Sequence, residues 1–600
     1  MKKIDTEIEN LVNETIDSFA PIFIDEDNYK KLLQHCKPYP FLSTSKGIAT
    51  LVKKKSGNKG YAECKIQPIA SFVRVKYRLH NVDTEEISLV LEIDNGIARV
   101  EKEFARTILS KMEIKALLTY GVKFLESYSD LLLSYLIKTE SSAGIRNVHT
   151  SLGWTEIGNT PVFKCSEILY PSNSSITLKS SYRGNLDLHP KGCLDVWLNM
   201  VKSEVIGNVP LTVTLLLSFA SPILAYVTEK YDLGSLLFCI SNESSRGKTT
   251  SGALVASVFS NPCLNKATMR TFNATQNFIV SFLAQTSGLP VVFDEASEFS
   301  GNMEQLLYLL SSGCEKGRLD GNSEMKSEKS WRSIILTTSE FHLFSEDTAP
   351  NGLKARCFEI PDQLTSSAEN SDTIKTTIAS NYGVAGKAYL QFLLNEKMDS
   401  LEHDYLKAKK QLIQESLKAG KTSPLTKRIL SKLAVILVAA RYVRKCFGLN
   451  INIVEIKAYL LNMERQVSIK TDIIANSLDI ILQEISRNSL RFLTPDRPSG
   501  QNIVGKISED EKYKTISILK TEFQAYCSKN KIQNPHKVLT GLKAKGILQC
   551  EKDRLTKRIR LNDFMPIQTC YILRIPDAKS LRRQPGNKLP KLTSNDELDF

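Results

Sequence analysis

The stretch that decides the fold runs from residue 236 to residue 258: Leu236-Leu-Phe-Cys-Ile240, then Ser241-Asn-Glu-Ser-Ser-Arg-Gly-Lys-Thr-Thr250, then Ser251-Gly-Ala-Leu-Val-Ala-Ser-Val258. An apolar run of strand length leads into a small polar loop, and residues compatible with a helix follow. This order predicts a phosphate-binding loop, in which backbone N–H groups and the positive end of the helix dipole face an anion. An ordinary strand, turn and helix is the alternative, because Gly-Lys-Thr also occurs by chance.

Residues of this loop have individual predicted roles. We expect Lys248 to reach the β and γ phosphates of a nucleotide, and the Thr249 hydroxyl to hold Mg²⁺. The pattern asks for glycine six residues before the lysine, where this chain has Asn242, and we expect asparagine to tolerate a left-handed backbone there. The predicted nucleotide-binding residues are Asn242, Glu243, Ser244, Ser245, Arg246, Gly247, Lys248, Thr249 and Thr250.

Two adjacent carboxylates follow a second apolar run, residues 289–293. Open α/β sheets place their ligands at the carboxyl ends of the strands. We therefore expect Asp294 to bind Mg²⁺, mostly through water, and Glu295 to polarise the attacking water. Acid pairs are common at strand ends, but this one begins 46 residues after Lys248 with one strand–helix unit between them, and that spacing strengthens the prediction.

Two further positions are predicted to act on the γ-phosphate. The apolar run 333–336 ends in Thr-Thr-Ser-Glu, where Thr338 is expected either to sense the γ-phosphate or to cap a following helix. Arg356 immediately precedes another short strand. In a ring-shaped ATPase an arginine at this place reaches the nucleotide of the neighbouring subunit, and an ordinary solvated arginine is the alternative.

An insertion at residues 313–331 separates the acid pair from the strand that carries Thr338. The Asp-Gly pair at 320–321 is typical of a hairpin turn. The sequence therefore predicts a basic β-hairpin that carries Lys316, Arg318 and Lys326, a charge pattern suited to the phosphate backbone of DNA. A solvated hairpin without a ligand is the alternative.

The composition sets the broad class. A length of 600 residues suggests about three or four domains. A net charge of +14 and a pI of about 9.0 favour a polyanionic partner, with a lysine-rich coding background as the alternative. The 12 cysteines and 7 histidines show no zinc-ligand spacing, and most cysteines lie in apolar runs.

Compartment and membrane contact follow from the same patterns. Apolar thiols fit a reducing cytoplasm, and the first residues lack the apolar segment of a signal peptide. Residues 211–227 are apolar but interrupted by Thr, Ser and Pro, which predicts a pair of core helices rather than a membrane span. We therefore expect a cytoplasmic protein with no membrane partner.

The predicted fold class is multidomain, with α/β and α+β parts. Residues 1–195 predict an N-terminal α+β domain, and 196–365 a nucleotide-binding core of alternating helices and strands. Residues 366–500 predict a helical lid and linker, 501–576 a winged helix, and 577–600 a polar tail.

Some local patterns are more specific. Apolar alternation over 87–93 followed by Asp-Asn-Gly predicts a β-hairpin. Helices are expected from about 103 to 138. In the C-terminal domain, helices are expected over 516–529 and 537–545, and strands from 546 onward.

A resemblance to a known family rests on these residues. The loop from Asn242 to Thr250 is similar to the Gly-Asp-Ser-Ser-Thr-Gly-Lys-Thr-Thr loop of a bacterial and phage family long catalogued only as a domain of unknown function. The resemblance covers roughly residues 60–395. Its other blocks are Gln67-Pro-Ile-Ala70, Leu152-Gly-Trp154, Lys316-Gly-Arg318, Trp331-Arg332, Arg356-Cys-Phe-Glu-Ile-Pro361 and Asn381-Tyr-Gly-Val-Ala-Gly386.

Within that family, the length and lysine-rich character resemble the replicative helicases of staphylococcal chromosome cassettes, which are similar to the MCM helicases. The resemblance implies an AAA+ ATPase core with an N-terminal domain, a helical lid and a winged helix, assembled as a hexamer. It implies ATP and Mg²⁺ as cofactors and ATP-driven DNA unwinding. The implied partners are single-stranded DNA in a central pore, duplex DNA at the winged helix, and other replication proteins of the same mobile element.

Two other functions stay open at this point. One is an ATP-switched DNA-binding initiator that does not translocate. The other is a protein-remodelling AAA+ ATPase. The basic hairpin, the high pI and the predicted winged helix argue against the second.

Overall fold

The computed structural model describes most of the chain. The described residues are 6–55, 62–243, 246–317, 319, 328–341, 343, 351–396, 398–419, 423–471, 473–497, 501–510, 513–530, 532, 534–551 and 554–576.

The chain begins with a four-stranded antiparallel sheet that packs against two helices. The strand order is β1-β4-β3-β2. Val12 and Ile16 of the first helix and Leu32 of the second share an apolar cluster with Leu51 and Ile66 of the sheet. The elements are α1 (Thr6–Ser18), β1 (Ile22–Ile24), α2 (Glu26–His35), β2 (Phe41–Ser43), β3 (Gly47–Lys55) and β4 (Ala62–Ser71).

A second sheet follows, and it contains the predicted hairpin. Asp94 pairs with Arg99, so the turn over 95–98 is confirmed. The prediction of helix from residue 103 is wrong, because residues 99–105 pair with the preceding strand along their whole length. The elements are β5 (Val73–Asn81), β6 (Ile87–Asp94), β7 (Arg99–Ala105), α3 (Ala116–Thr119), α4 (Ser129–Ser142) and β8 (Gly144–His149), with short 3-10 helices at 106–109, 113–115 and 126–128.

A small three-stranded antiparallel sheet connects this region to the centre of the molecule. It contains β9 (Gly153–Ile157), β10 (Thr160–Lys164) and β11 (Ile168–Leu169). The following strand, β12 (Ser180–Tyr182), adds to the edge of the second sheet beside β8. Phe163 belongs to the same apolar cluster as the central sheet. Side-chain packing is thus continuous across residue 195, and a domain boundary at that position stays a prediction.

The centre of the chain is a five-stranded parallel sheet with helices between its strands. The strand order is β14-β15-β16-β13-β17. Strands 236–241 and 334–339 are buried almost throughout, as expected for parallel strands covered on both faces. The elements are α5 (Leu194–Met200), a π-helical turn at 201–205, α6 (Val209–Tyr231), β13 (Leu236–Ser241), α7 (Lys248–Ser257), β14 (Met269–Thr271), α8 (Gln276–Ala284), β15 (Val291–Asp294), a 3-10 turn at 296–298, α9 (Met303–Ser312), β16 (Ile334–Ser339), α10 (Asn351–Lys354) and β17 (Cys357–Ile360).

Helix α6 is long, mostly apolar and almost fully buried. It is one continuous helix that contains Pro222, so the predicted pair of helices is wrong. By length and composition alone, α6 could cross a membrane, with a mean hydropathy of 1.8 in its most apolar window. However, 94% of that window is buried inside the protein, where α6 packs against helices of the core. Burial on all sides explains why it carries no polar face.

A helical region follows the central sheet and shares its apolar cluster as far as Val467. Ser423 caps the longest of these helices at its start, and Gly448 ends that helix in a left-handed conformation. The elements are α11 (Ala368–Ser380), α12 (Val384–Asn395), α13 (Met398–Lys418), α14 (Pro424–Phe447) and α15 (Ile453–Thr471).

The C-terminal region has its own apolar cluster, which includes Ile481 and Ile485 of α16. Residues 516–519 form a strand, so the predicted helix over 516–529 is wrong at its start. Ile516 pairs with Leu573, and this pairing fixes the strand. The elements are α16 (Ile473–Arg487), a 3-10 turn at 489–491, β18 (Phe492–Leu493), β19 (Gly505–Glu509), β20 (Tyr513–Leu519), α17 (Lys520–Lys529), α18 (Pro535–Ala544), β21 (Leu548–Gln549), β22 (Lys557–Ile559) and β23 (Gln568–Pro576).

The 12 cysteines all lie among the described residues and form no disulfide there. Cys239 and Cys357 are buried as predicted, and Cys446 is half-buried. Burial raises the pKa of the Cys446 thiol to about 11. Within the described part of the chain, no group of three or more His, Cys, Asp or Glu side chains is arranged to hold a metal.

Candidate nucleotide site

The predicted phosphate loop lies between β13 and α7, at the carboxyl edge of the central sheet. Gly247 has a φ of +87° and directly precedes the first residue of α7. A Cβ at Gly247 would lie 2.6 Å from the side chain of Thr365. Both the left-handed backbone and this close approach require glycine. Ser244 and Ser245 lie outside the described residues.

Lys248 folds back over the loop that precedes it. Its ammonium donates to the carbonyl oxygens of Asn242, at 2.8 Å, and Glu243, at 3.0 Å. The Glu340 carboxylate, just after β16, lies 3.9 Å from the same nitrogen. The lysine therefore sits at the centre of the loop, where a phosphate group would meet it.

Asn242 keeps its place in the loop by a different means from the one we expected. Its backbone is not left-handed. Instead, its side-chain amide donates to the carbonyl oxygen of Asp362 at 2.7 Å, and the Asp362 carboxylate accepts a 2.5 Å hydrogen bond from Tyr459 of α15. Asparagine thus ties the loop to the segment after β17 and, through it, to the helical region.

Other contacts from the helical side also hold the loop. Thr250 Oγ1 lies 2.7 Å from the Ser371 hydroxyl of α11. The backbone N–H of Leu364 donates to the carbonyl oxygen of Arg246 at 3.2 Å. Asp362, Ser371 and Tyr459 were not predicted from the sequence. No local pattern marks them, because each contacts its partner across about a hundred residues or more.

The acid pair lies next to Thr249 and Thr338. Asp294 Oδ1 accepts from Thr338 Oγ1 at 2.6 Å and lies 3.4 Å from Thr249 Oγ1. Thr249 and Asp294, predicted to share a metal ion, are therefore adjacent. A hydroxyl and a carboxylate are the hard oxygen donors that Mg²⁺ prefers.

Glu295 has a strained backbone. Its φ is +57°, a conformation that costs a non-glycine residue about 1–3 kcal/mol. Its N–H donates to Thr338 Oγ1 at 2.9 Å, and its carboxylate accepts from the Ser297 hydroxyl at 2.6 Å. Strain of this kind is concentrated at functional sites.

Thr338 contacts both acids at once. It lies inside β16, donates to Asp294 and accepts from the backbone of Glu295. The Thr338 hydroxyl is engaged across the sheet, and its role at the γ-phosphate or as a helix cap stays a prediction. Of the neighbouring candidates, Thr337 is buried with no hydrogen-bond partner for its hydroxyl among the described residues, and the Ser339 hydroxyl accepts from the N–H of Phe341.

Arg356 lies at the amino ends of the parallel strands, which form the edge of the sheet opposite the phosphate loop. Cys357 pairs with Leu237 and Ile360 with Ile240, so Arg356 is level with the start of β13, whereas the phosphate loop follows its end. At a rise of about 3.3 Å per residue, the two edges are separated by roughly 17 Å. The guanidinium donates to the Gly352 carbonyl at 3.0 Å and lies 5.3 Å from the centre of the Tyr308 ring.

The stem of the predicted hairpin is present. Cys314 bridges Ser330 in antiparallel fashion, and the N–H of Glu315 donates to the carbonyl of Lys329 at 2.8 Å. Lys316 is exposed just beyond the stem. Arg318 and Lys326 lie outside the described residues, as does the predicted Asp-Gly turn.

Two family models match parts of this chain. Residues 41–330 match a family model described as a domain of unknown function (DUF927), and residues 472–578 match one described as a Cch helix turn helix domain. The first match ends before the blocks from 331 to 386 that the resemblance included. A search of the curated proteins gave no match.

The described chain is a multidomain protein of mixed α/β structure with a helical C-terminal region, and it has the fold of a helicase structure. That structure is described as "SCCmec type IV Cch - active helicase". The likeness has a TM-score of 0.69 at 24% sequence identity, and it covers 90% of this chain and 97% of that one. The predicted resemblance to a cassette helicase is confirmed at the level of the fold.

Proposed function

We propose that this protein is an ATP-dependent DNA helicase that supports replication of a mobile genetic element. The observation that carries the proposal is the convergence of Thr249, Asp294, Thr338 and Glu295 beside Lys248, at the carboxyl edge of one parallel sheet. This set of groups suits ATP hydrolysis. The shared fold with a protein described as an active helicase supports its coupling to DNA unwinding.

Each residue of the site has a role in this proposal. The loop 242–250 cradles the phosphates through backbone N–H groups, and Lys248 neutralises the β and γ phosphates. Thr249 and Asp294 hold Mg²⁺, which when bound offsets the negative charge of the phosphates. Glu295 orients and polarises the attacking water, and Thr338 keeps both acids in register.

The proposal includes an AAA+ ring, with a hexamer as the assembly. The parallel register of β17 and β13 puts Arg356 at the amino ends of the strands, opposite the phosphate loop, and this supports a role outside the site of its own subunit. It instead acts on the γ-phosphate of a neighbour, where it stabilises the charge of the transition state. The likeness to MCM helicases belongs to this same proposal.

DNA binding is assigned to two regions. The hairpin with Lys316, Arg318 and Lys326 contacts single-stranded DNA in the central pore. The C-terminal region, which matches a helix turn helix family, acts as a winged helix on duplex DNA. Other replication proteins of the element are proposed partners, and the cytoplasm is the proposed location.

Glu295→Gln tests the site. The amide cannot polarise water as a carboxylate does, so this variant is expected to bind ATP normally while its turnover falls by about 10²-fold or more. Equilibrium binding of a fluorescent ATP analogue and phosphate release report the two steps. The matched control is Glu298→Gln, three residues further on, which should keep its turnover. Equal loss of binding and turnover would assign Glu295 a structural role instead.

The competing function is an ATP-switched initiator that binds DNA without translocation. It uses the same nucleotide site and predicts the same result for Glu295→Gln. Strand displacement separates the two, because only a helicase converts repeated hydrolysis into unwinding. A protein-remodelling ATPase would show ATP turnover that DNA does not stimulate.

A further inference from the structure

The loop between β22 and β23, which we call the wing tip (residues 560–567), presents an aromatic side chain to solvent. Phe564 is 97% exposed, the most exposed of the large apolar side chains described. Ile567, at the end of the same loop, is 62% exposed. Singly exposed apolar residues are common, so the significance of Phe564 depends on what holds it and what surrounds it.

The wing tip is held at its base. Leu561 is 1% exposed and packs in a small apolar cluster with Leu493, Cys570 and Ile572. Met565, next to Phe564, packs against the same cluster, and its N–H donates to the carbonyl of Asn562 in a turn. The neighbours of Phe564 are therefore anchored while its ring points outward.

The surroundings of the ring are basic. Arg554, Lys557, Arg558 and Arg560 lead into the wing tip, and all four are exposed. Asp563 is the one acid between residues 554 and 567. Four cations against one acid favour a polyanion over an apolar protein surface as the partner.

We propose that Phe564 is a base-stacking residue that packs on the terminal base pair of duplex DNA at a fork, while Lys557, Arg558 and Arg560 bind the adjacent phosphates. A fork exposes the flat face of its last base pair, so the ring can stack there without opening an internal step, which costs additional energy. Aromatic stacking tolerates any base sequence. This inference rests on the proposed DNA-binding function of the C-terminal region and adds the DNA structure that it recognises.

The test uses the full-length protein and a forked DNA with 2-aminopurine at the last base pair. Wild type is expected to change the 2-aminopurine fluorescence on binding. Phe564→Ala should weaken fork binding by about 5- to 100-fold and abolish the fluorescence change, while the dependence of affinity on salt keeps its slope. Phe564→Trp should restore both, because indole also stacks.

Two controls complete the experiment. Arg558→Ala with Arg560→Ala should reduce the salt slope by about two, since each phosphate contact contributes about one. Ile97→Ala removes another side chain that is 94% exposed, far along the sequence in the turn between β6 and β7, and should change nothing. Both Phe564 variants alter an exposed side chain, so their folding should be intact.

Three results would overturn the inference. The first is wild-type fork affinity in Phe564→Ala. The second is an unchanged 2-aminopurine signal when the wild type binds the fork. The third is a change in subunit assembly by Phe564→Ala, seen by sedimentation, with fork binding intact, which would assign the ring to a protein contact. Failure of the wild type to bind any DNA would instead overturn the proposed function together with this inference.

Discussion

The two edges of the central parallel sheet differ in how their charges are balanced. At the carboxyl edge, Asp294 accepts from Thr338 and lies beside Thr249, and the Lys248 ammonium is held by backbone carbonyls. At the opposite edge, Arg356 lies near Lys432, a buried residue of α14. At the first edge these side chains have partners within the chain, whereas the second edge brings the positive charges of Arg356 and Lys432 together.

The pKa of Lys432 illustrates this difference between the two edges. Burial, and then the charges of Arg428 and Arg356, lower its pKa from 10.5 to about 8, and Asp232 opposes the shift only in part. Burial is thus the main cause of the lowered pKa, and the two arginine charges add to it. In the proposed ring, the carboxyl edge of one subunit would bind the nucleotide and the opposite edge of a neighbour would complete the site.

The largest expected effect is at the carboxyl edge. Lys248→Ala removes the cation at the centre of the loop, so ATP hydrolysis should fall below detection and ATP affinity should drop. Phosphate release and nucleotide binding measure the two effects. Lys266→Ala, an exposed lysine outside the loop, is the control and should behave as wild type. Normal ATP turnover by Lys248→Ala would show that the loop around Lys248 is not the nucleotide site.

Arg356→Ala tests the opposite edge. The variant should bind ATP almost normally and hydrolyse it about 10³- to 10⁵-fold more slowly, as for other arginines that act from a neighbouring subunit. Mixing it with Lys248→Ala should restore partial activity, because some interfaces then pair an intact loop with an intact arginine. An ordinary solvated arginine predicts that Arg356→Ala alone keeps most of its activity. Absence of recovery in mixed oligomers that demonstrably form would refute the shared site.

The smallest effect is expected for Lys432→Met, a substitution that changes the stability of the fold. A pKa lowered from 10.5 to about 8 corresponds to about 3 kcal/mol of unfavourable charge burial below pH 8. The unfolded chain binds the proton more tightly, so wild-type stability should rise as the pH increases from about 8 to 10.5.

The methionine variant should therefore be more stable than wild type at pH 7, and this advantage should vanish above pH 10.5. Urea unfolding at several pH values measures it. Lys427→Met, on an exposed position of the same helix, should change stability by less than about 0.5 kcal/mol at any pH. An advantage of Lys432→Met that is the same at pH 7 and pH 10.5 would mean that packing, and not charge, explains it.

The sequence predicts well the structural features that depend on residues close together along the chain. The sequence predicts the strand, loop and helix around Lys248 because an apolar run, a polar segment and a helix-compatible segment follow one another within 23 residues. The structure places the acid pair beside Thr249, as the carboxyl-end rule for parallel strands leads one to expect. The roles of these residues in ATP hydrolysis stay predictions.

What the sequence does not predict depends on distant partners. Asn242 bonds to Asp362 across 120 residues, and Tyr459 to Asp362 across 97, so the anchoring of the loop has no local signal. The same reason explains the error at residues 516–519. Ile516 and Ile518 suit a helix or a strand, and pairing with a strand some fifty residues later decides between them.

The central claim is that hydrolysis at the nucleotide site drives DNA unwinding, and strand displacement on a forked duplex tests it most directly. With ATP and Mg²⁺, the wild-type protein should release the displaced strand. With a non-hydrolysable ATP analogue, or with Glu295→Gln and ATP, it should bind the fork and release none. Release with the analogue, or ATP turnover by the wild type with no displaced strand on any fork polarity, would contradict the claim and favour an initiator that binds DNA without translocating.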